Sequence, residues 1–140
     1  MRKMRLSNMA DYAVVIMSAA SRHCGSARVS ATDLAAETGL ALPTTQKLVS
    51  ILTKAGLLRS ARGTGGGIML ARPAAAISVA DIIEAVEGPI ALTACCDSHK
   101  HSLGQHCAKE GSCHVQAHWP VVNNAVRGAL AQINLAGLTR

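Results

Sequence analysis

Along the first half of the chain the apolar positions recur at helical intervals, broken by short polar stretches where capping residues stand. Over residues 7–22, Met9, Ala13, Ile16, Met17 and Ala20 share one face of a helix that Ser7 or Asn8 can cap. A Gly25-containing loop follows over residues 23–28. A second helix is predicted over Ala31–Thr38, with Ser30 as its cap, Asp33 three residues on in the capping-box position, and Gly39 as its stop. After a turn over residues 40–42, Pro43 stands at the first helical position, where its missing N–H costs nothing. The third helix runs on to Ala55 with Leu48, Ile51 and Leu52 inward, and Gly56 closes it. The period then changes: residues 57–61 and 68–71 read as strands on either side of the turn Arg62-Gly63-Thr64-Gly65-Gly66-Gly67.

Residues 73–77 read as a linker. Ser78 caps a helix over Val79–Glu87, whose polar side carries Asp81, Glu84 and Glu87 and which Gly88-Pro89 stops. Residues 90–112 show no period. The helical pattern returns from His114 to Leu138, with Val115, Trp119, Val122, Val126, Ala129, Leu130 and Ile133 as an apolar stripe, and Pro120 tolerable near a start or as a kink. Two short helices joined by a tight turn, then a hairpin, make a winged helix-turn-helix. The expected architecture is therefore mostly α. A winged helix-turn-helix domain spans 1–72, a linker helix and cysteine-rich loop span 73–113, and a long dimerisation helix spans 114–140, its apolar stripe covered by a second copy.

Composition narrows the function. Hydrophobic residues make up 49% of the chain, which excludes a disordered tail, and the only aromatics are Tyr12 and Trp119, so the core is built from small aliphatic side chains on close-packed helices. There is no run of about eighteen apolar residues, so no membrane span is expected. Ser7, Asn8 and Asp11 interrupt any signal-peptide core behind Arg2, Lys3 and Arg5, and the protein is expected in the cytoplasm. The net charge of +6 is unevenly spread: residues 1–72 hold ten Lys/Arg and three Asp/Glu, residues 73–140 four and five. A basic half joined to a near-neutral one fits a domain that meets the phosphates of double-stranded DNA. No Ser/His/Asp set, paired carboxylates or nucleotide motif suggests an enzyme, and the glycine run lacks the GK[ST] ending and following helix of a phosphate-binding loop.

In a helix-turn-helix the start of the second helix faces base edges in the major groove. Here that places Thr44, Thr45, Gln46, Lys47 and Ser50 as candidate DNA contacts. Gln46 has the geometry to pair with adenine, and Lys54 and Arg59 suit phosphates. Arg62 at the wing tip can enter a minor groove, while Gly65 and Gly66 let the backbone approach.

Five cysteines occur, Cys24, Cys95, Cys96, Cys107 and Cys113, an odd number that argues against a disulfide framework. The spacing Cys96-x10-Cys107-x5-Cys113 lets three thiolates of one loop converge on a metal centre. It lacks the paired CxxC knuckles of structural zinc, but His99, His101 and His106 keep zinc open, as does metal-free thiol redox sensing. Cys24 reads as structural, and of the adjacent Cys95 and Cys96 one side chain is expected to serve, taken as Cys96.

Met4-Arg5-Leu6-Ser7 with Asp11-Tyr12-Ala13, Lys54-Ala55-Gly56-Leu57-Leu58, the wing Arg62-Gly63-x-Gly65-Gly66-Gly67 with Leu70-Ala71-Arg72, Asp81-Ile82 through Gly88, three cysteines and Trp119 together resemble the iron–sulfur cluster regulators of the IscR, NsrR and RirA type. Residues 88–92 and the long Cys96–Cys107 loop look closest to the branch that represses the SUF cluster-assembly operon. The resemblance implies a homodimer with a [2Fe-2S] or [4Fe-4S] cluster on Cys96, Cys107 and Cys113. For the fourth ligand some members use a His three residues after the last Cys, where this chain has Gln116. Others use a carboxylate of the partner's first helix, a place that Asp11 occupies. The implied function is repression of iron–sulfur assembly or iron-responsive genes. The alternatives are a nitric-oxide or redox-sensing repressor and, from another class, a small metal carrier or cluster scaffold, against which the wing and basic half argue.

Overall fold

A computed structural model describes residues 3–23, 28–63, 66–98, 102–105 and 107–139. Helix α1 (Asn8–Arg22) starts where Ser7 Oγ accepts the Ala10 N–H at 3.1 Å. Its inner face, Ala10, Ala13, Ile16, Met17, Ala19 and Ala20, is buried, and the alanines let neighbouring helices come close. Helix α2 (Ala31–Thr38) carries the expected capping box: Ser30 Oγ accepts from the Asp33 N–H at 3.1 Å and Asp33 Oδ2 accepts from the Ser30 N–H at 2.9 Å. The Ser30 N–H, and the Ser30 hydroxyl donating to the same Oδ2 at 2.8 Å, hold the Asp33 carboxyl below its ordinary pKa. Gly39, at φ 74°, takes the left-handed turn that ends α2. Helix α3 (Leu42–Lys54) has Pro43 in its first turn, one residue after the start.

Strands β1 (Leu58–Ala61) and β2 (Gly67–Leu70) pair antiparallel, with Leu58 opposite Leu70 and Ala61 opposite Gly67. Leu58, Ile68 and Leu70 face the core, and the hairpin's other side is open. Val29 adds an isolated bridge to Ile68, whose N–H donates to the Val29 carbonyl at 2.7 Å. The linker holds a 3-10 turn, Ala74–Ala76, and Ser78 and Asp81 form a second capping box at the head of α4 (Val79–Glu87). Ile77 and Ile82 join the same buried cluster as Ile16, Leu34, Leu48, Leu52, Leu57 and Leu58, so the packing crosses the division expected at residue 72.

The C-terminal segment departs from the single helix expected over 114–138. Residues 114–118 form turns, α5 covers Trp119–Gln132, and a short α6 covers Leu135–Leu138. Pro120 explains the late start: a helix running through residues 114–118 would need the N–H that proline lacks and would clash with its ring. The break at Ile133 (φ −94°, ψ 116°) has a tertiary cause. The Ile133 carbonyl accepts from the Val79 N–H at 2.8 Å, the Leu135 N–H donates to the Ile77 carbonyl at 2.9 Å, and Leu135 becomes fully buried in the core. Among the described residues no helix is long and apolar enough to cross a membrane.

Candidate nucleic-acid interface and cysteine segment

Helix α3 is held against α1 and α2 by Leu48 and Leu52, so its opposite face is presented outward. Gln46, Lys47, Ser50 and Lys54 are exposed there, and Thr44 is half-buried. Thr45 is a correction: it is fully buried, and its hydroxyl donates to the Ala41 carbonyl at 3.1 Å, so it braces the helix and cannot reach a base. Thr45 lies three and seven residues before Leu48 and Leu52, the spacing of the inward stripe, and that periodicity was the signal. Ile51, expected inward, is half-buried.

Arg59 and Arg62 are exposed on the wing. Gly66 closes the wing turn by donating its N–H to the Gly63 carbonyl at 2.8 Å. A Cβ there would stand 2.3 Å from the Ala61 carbonyl oxygen, so the glycine is demanded by the turn itself. Gly65, like Cys24, His99, His101 and His106, lies outside the described residues. At the α1 end, Arg22 donates to Glu37 Oε1 from Nε at 3.1 Å and Nη2 at 2.9 Å, while His23 Nε2 meets Glu37 Oε2 at 2.6 Å. The bond to His23, then that to Arg22, keeps the Glu37 carboxyl below its ordinary pKa. Arg22 thus spends its charge within the protein. Among the described residues no carboxylate pairs with Lys47, Lys54, Arg59 or Arg62.

The cysteine segment is tied to the helices by one buried polar side chain. Asn123 is the buried residue of α5, an inversion of the usual helix face. Its Oδ1 accepts the Leu92 N–H at 2.8 Å and its Nδ2 donates to the Ile90 carbonyl at 2.9 Å. Glu84 of α4 accepts the Ile90 N–H at 3.1 Å through Oε2 and Arg127 Nη2 at 2.7 Å through Oε1, a bond that raises the Arg127 pKa. Residues 90–92 are therefore clamped between α4 and α5 just before the first cysteines. Asn123→Ala would leave these backbone groups without partners, and we expect it to lower the unfolding free energy by about 1–3 kcal/mol. Urea denaturation checks this, and an unchanged midpoint would mean that water replaces the clamp.

Cys95 and Cys96 sit in a 3-10 turn, Ala94–Cys96, with Thr93 Oγ1 3.0 Å from the Cys95 sulfur. Cys95, Cys113 and His114 line one cavity of about 420 Å³ together with Gln116, Ala117 and Pro120. Cys96 and Cys107 are not part of that lining, and among the described residues no three His, Cys, Asp or Glu side chains stand close enough to hold a metal ion. All four described cysteines are free and half-buried. The lining of that cavity thus includes two cysteines and a histidine, residue types whose side chains suit thiolate-bound iron. Asp11 is exposed in the first turn of α1. On α5, Val121 and Val122 are exposed, Val121 at 69%, as is Ile133 just beyond its end, while Val126 and Leu130 are half-buried against the α4 side.

The profile of the Rrf2 family, described as iron-dependent transcriptional regulator, matches residues 6–140. The HTH-type transcriptional regulator IscR of Photorhabdus laumondii is 32% identical over 135 residues, spanning 96% of this chain and 79% of its own length. Among solved structures, CymR, the global cysteine regulator of B. subtilis, superposes with a TM-score of 0.77 at 26% identity, covering 98% of this chain and 97% of its own. IscR of T. potens superposes with a TM-score of 0.73 at 30% identity, covering 96% and 85%.

Proposed function

Since this chain belongs to the Rrf2 family of iron-dependent transcriptional regulators, we propose that it is a dimeric repressor of iron–sulfur assembly or iron-responsive genes whose hold on DNA follows the state of a thiolate-bound cluster. The exposed face of α3 reads the major groove through Thr44, Gln46, Lys47 and Ser50, with Lys54, Arg59 and Arg62 on phosphates or in a minor groove. The exposed valines of α5 are covered by a second copy, which also brings its Asp11 toward the cysteine segment. A cluster bound there supplies a link between thiolates that iron starvation, oxidants or nitric oxide can break. This chain's own part is to carry the change of loop shape through the Asn123 and Glu84 clamp to α4, whose last residue, Glu87, accepts a hydrogen bond from Ser7 at the head of α1. Two arrangements of that loop then bias two DNA-binding populations.

The observation that carries the cluster reading is the cavity shared by Cys95, Cys113 and His114. It supports Cys95 over Cys96 as the first thiolate, with Cys107 and Cys113. The test is the visible spectrum and the iron and sulfide content of anaerobically purified protein. Cys95→Ser, Cys107→Ser and Cys113→Ser are expected to lose most of the iron and sulfide, and Cys96→Ser to keep it. Loss in Cys96→Ser with retention in Cys95→Ser restores Cys96 to the ligand set. A colourless wild-type protein favours zinc or a metal-free thiol sensor.

A further inference from the structure

The stretch before α2 has a part in the DNA-binding surface that its sequence does not advertise. The bridge between Val29 and Ile68 fixes the backbone of residue 28 beside the wing. The approach is close enough that a Cβ on Gly67 would lie 2.7 Å from Cβ of Arg28. Arg28 and Arg59 then line one cleft of about 190 Å³ beside the hairpin, with Ser60, Ala61 and Met69. The Arg59 guanidinium is steadied by Met69, its Nη2 lying 3.4 Å from the sulfur. Both arginines are exposed, and neither has a carboxylate partner among the described residues. Two guanidinium groups around one concavity repel each other unless an anion sits between them, and their planar forks suit a phosphate.

We propose that Arg28 and Arg59 together clasp one phosphate of the DNA backbone beside the wing, so that Arg28 belongs to the DNA-binding surface. The inference rests on the winged-helix reading of the protein. The phosphate is a fixed point beside α3, and it sets the angle at which the wing, with Arg62 at its tip, meets the adjacent groove. Gly67 is then required because a side chain there would push Arg28 away from the cleft.

The test is a salt titration of binding to a fluorescein-labelled random-sequence duplex by the full-length protein. Each neutralised phosphate contributes about 0.9 to the slope of log K against log salt. In the proposed dimer each subunit clasps one phosphate, so Arg28→Ala, Arg59→Ala and the double variant are each expected to lose about 1.8 of slope and no more, because the two side chains share one phosphate per subunit. Arg28→Lys should recover most of the slope, and the unfolding midpoint of all four variants should stay at the wild-type value. A wild-type slope in Arg28→Ala overturns the proposal. So does an additive loss of about 3.6 in the double variant, which means two separate phosphates in each subunit. Inorganic phosphate is expected to compete no better than chloride at matched ionic strength; specific competition that Arg28→Ala abolishes would reassign the cleft to a free anion. A wild-type protein that binds no duplex, or binds without salt dependence, overturns the winged-helix reading instead.

Discussion

Raising the salt from about 50 to about 200 mM is expected to weaken DNA binding by on the order of 10³–10⁵-fold if the dimer neutralises roughly six to ten phosphates. That number follows from the surface. Arg28, Lys47, Lys54, Arg59 and Arg62 are exposed cations without carboxylate partners among the described residues, and in the proposed dimer each of two subunits supplies the set. Arg22 adds nothing, because Glu37 already holds its charge. Fluorescence anisotropy with a duplex over a series of potassium chloride concentrations measures the slope. Affinity that stays level over this range would mean that the basic half is a solvated face and that recognition lies elsewhere.

Leu135→Ala is expected to destabilise the protein by roughly 2–5 kcal/mol, the cost of emptying a filled core site. Leu135 is fully buried in the cluster with Ile16, Leu34 and Leu48, and it reaches that cluster only because the chain leaves the helix at Ile133. The loss should appear as a lower urea midpoint at fixed protein concentration, with the sedimentation coefficient of the native protein unchanged. The contrast is with the straight helix read from periodicity, on which Leu135 lies off the apolar stripe and its truncation costs little. A variant with wild-type stability would favour that straight helix and contradict the break at Ile133.

The helices of the first half, their caps and the wing were legible from the chain alone because their causes are local. Ser30 with Asp33 and Ser78 with Asp81 close hydrogen-bonded rings within four residues, Pro43 and Gly39 act through their own dihedral angles, and the hairpin is announced by its glycines. The match of the Rrf2 profile to residues 6–140 agrees with the family resemblance those motifs carry. What tertiary structure decided depends on partners far along the chain. Thr45 turned inward because α1 and α2 cover that side of α3. Asn123, polar and on an apolar-looking helix, is buried because residues 90–92 offer it backbone groups. Arg28 comes beside the wing through the bridge of its neighbour Val29 to Ile68, and Cys95 rather than Cys96 shares a cavity lining with Cys113. The helix expected to run to Leu138 gave up its continuity at Ile133 because two backbone hydrogen bonds to residues 77 and 79, and the burial of Leu135, outweigh one more turn of regular helix.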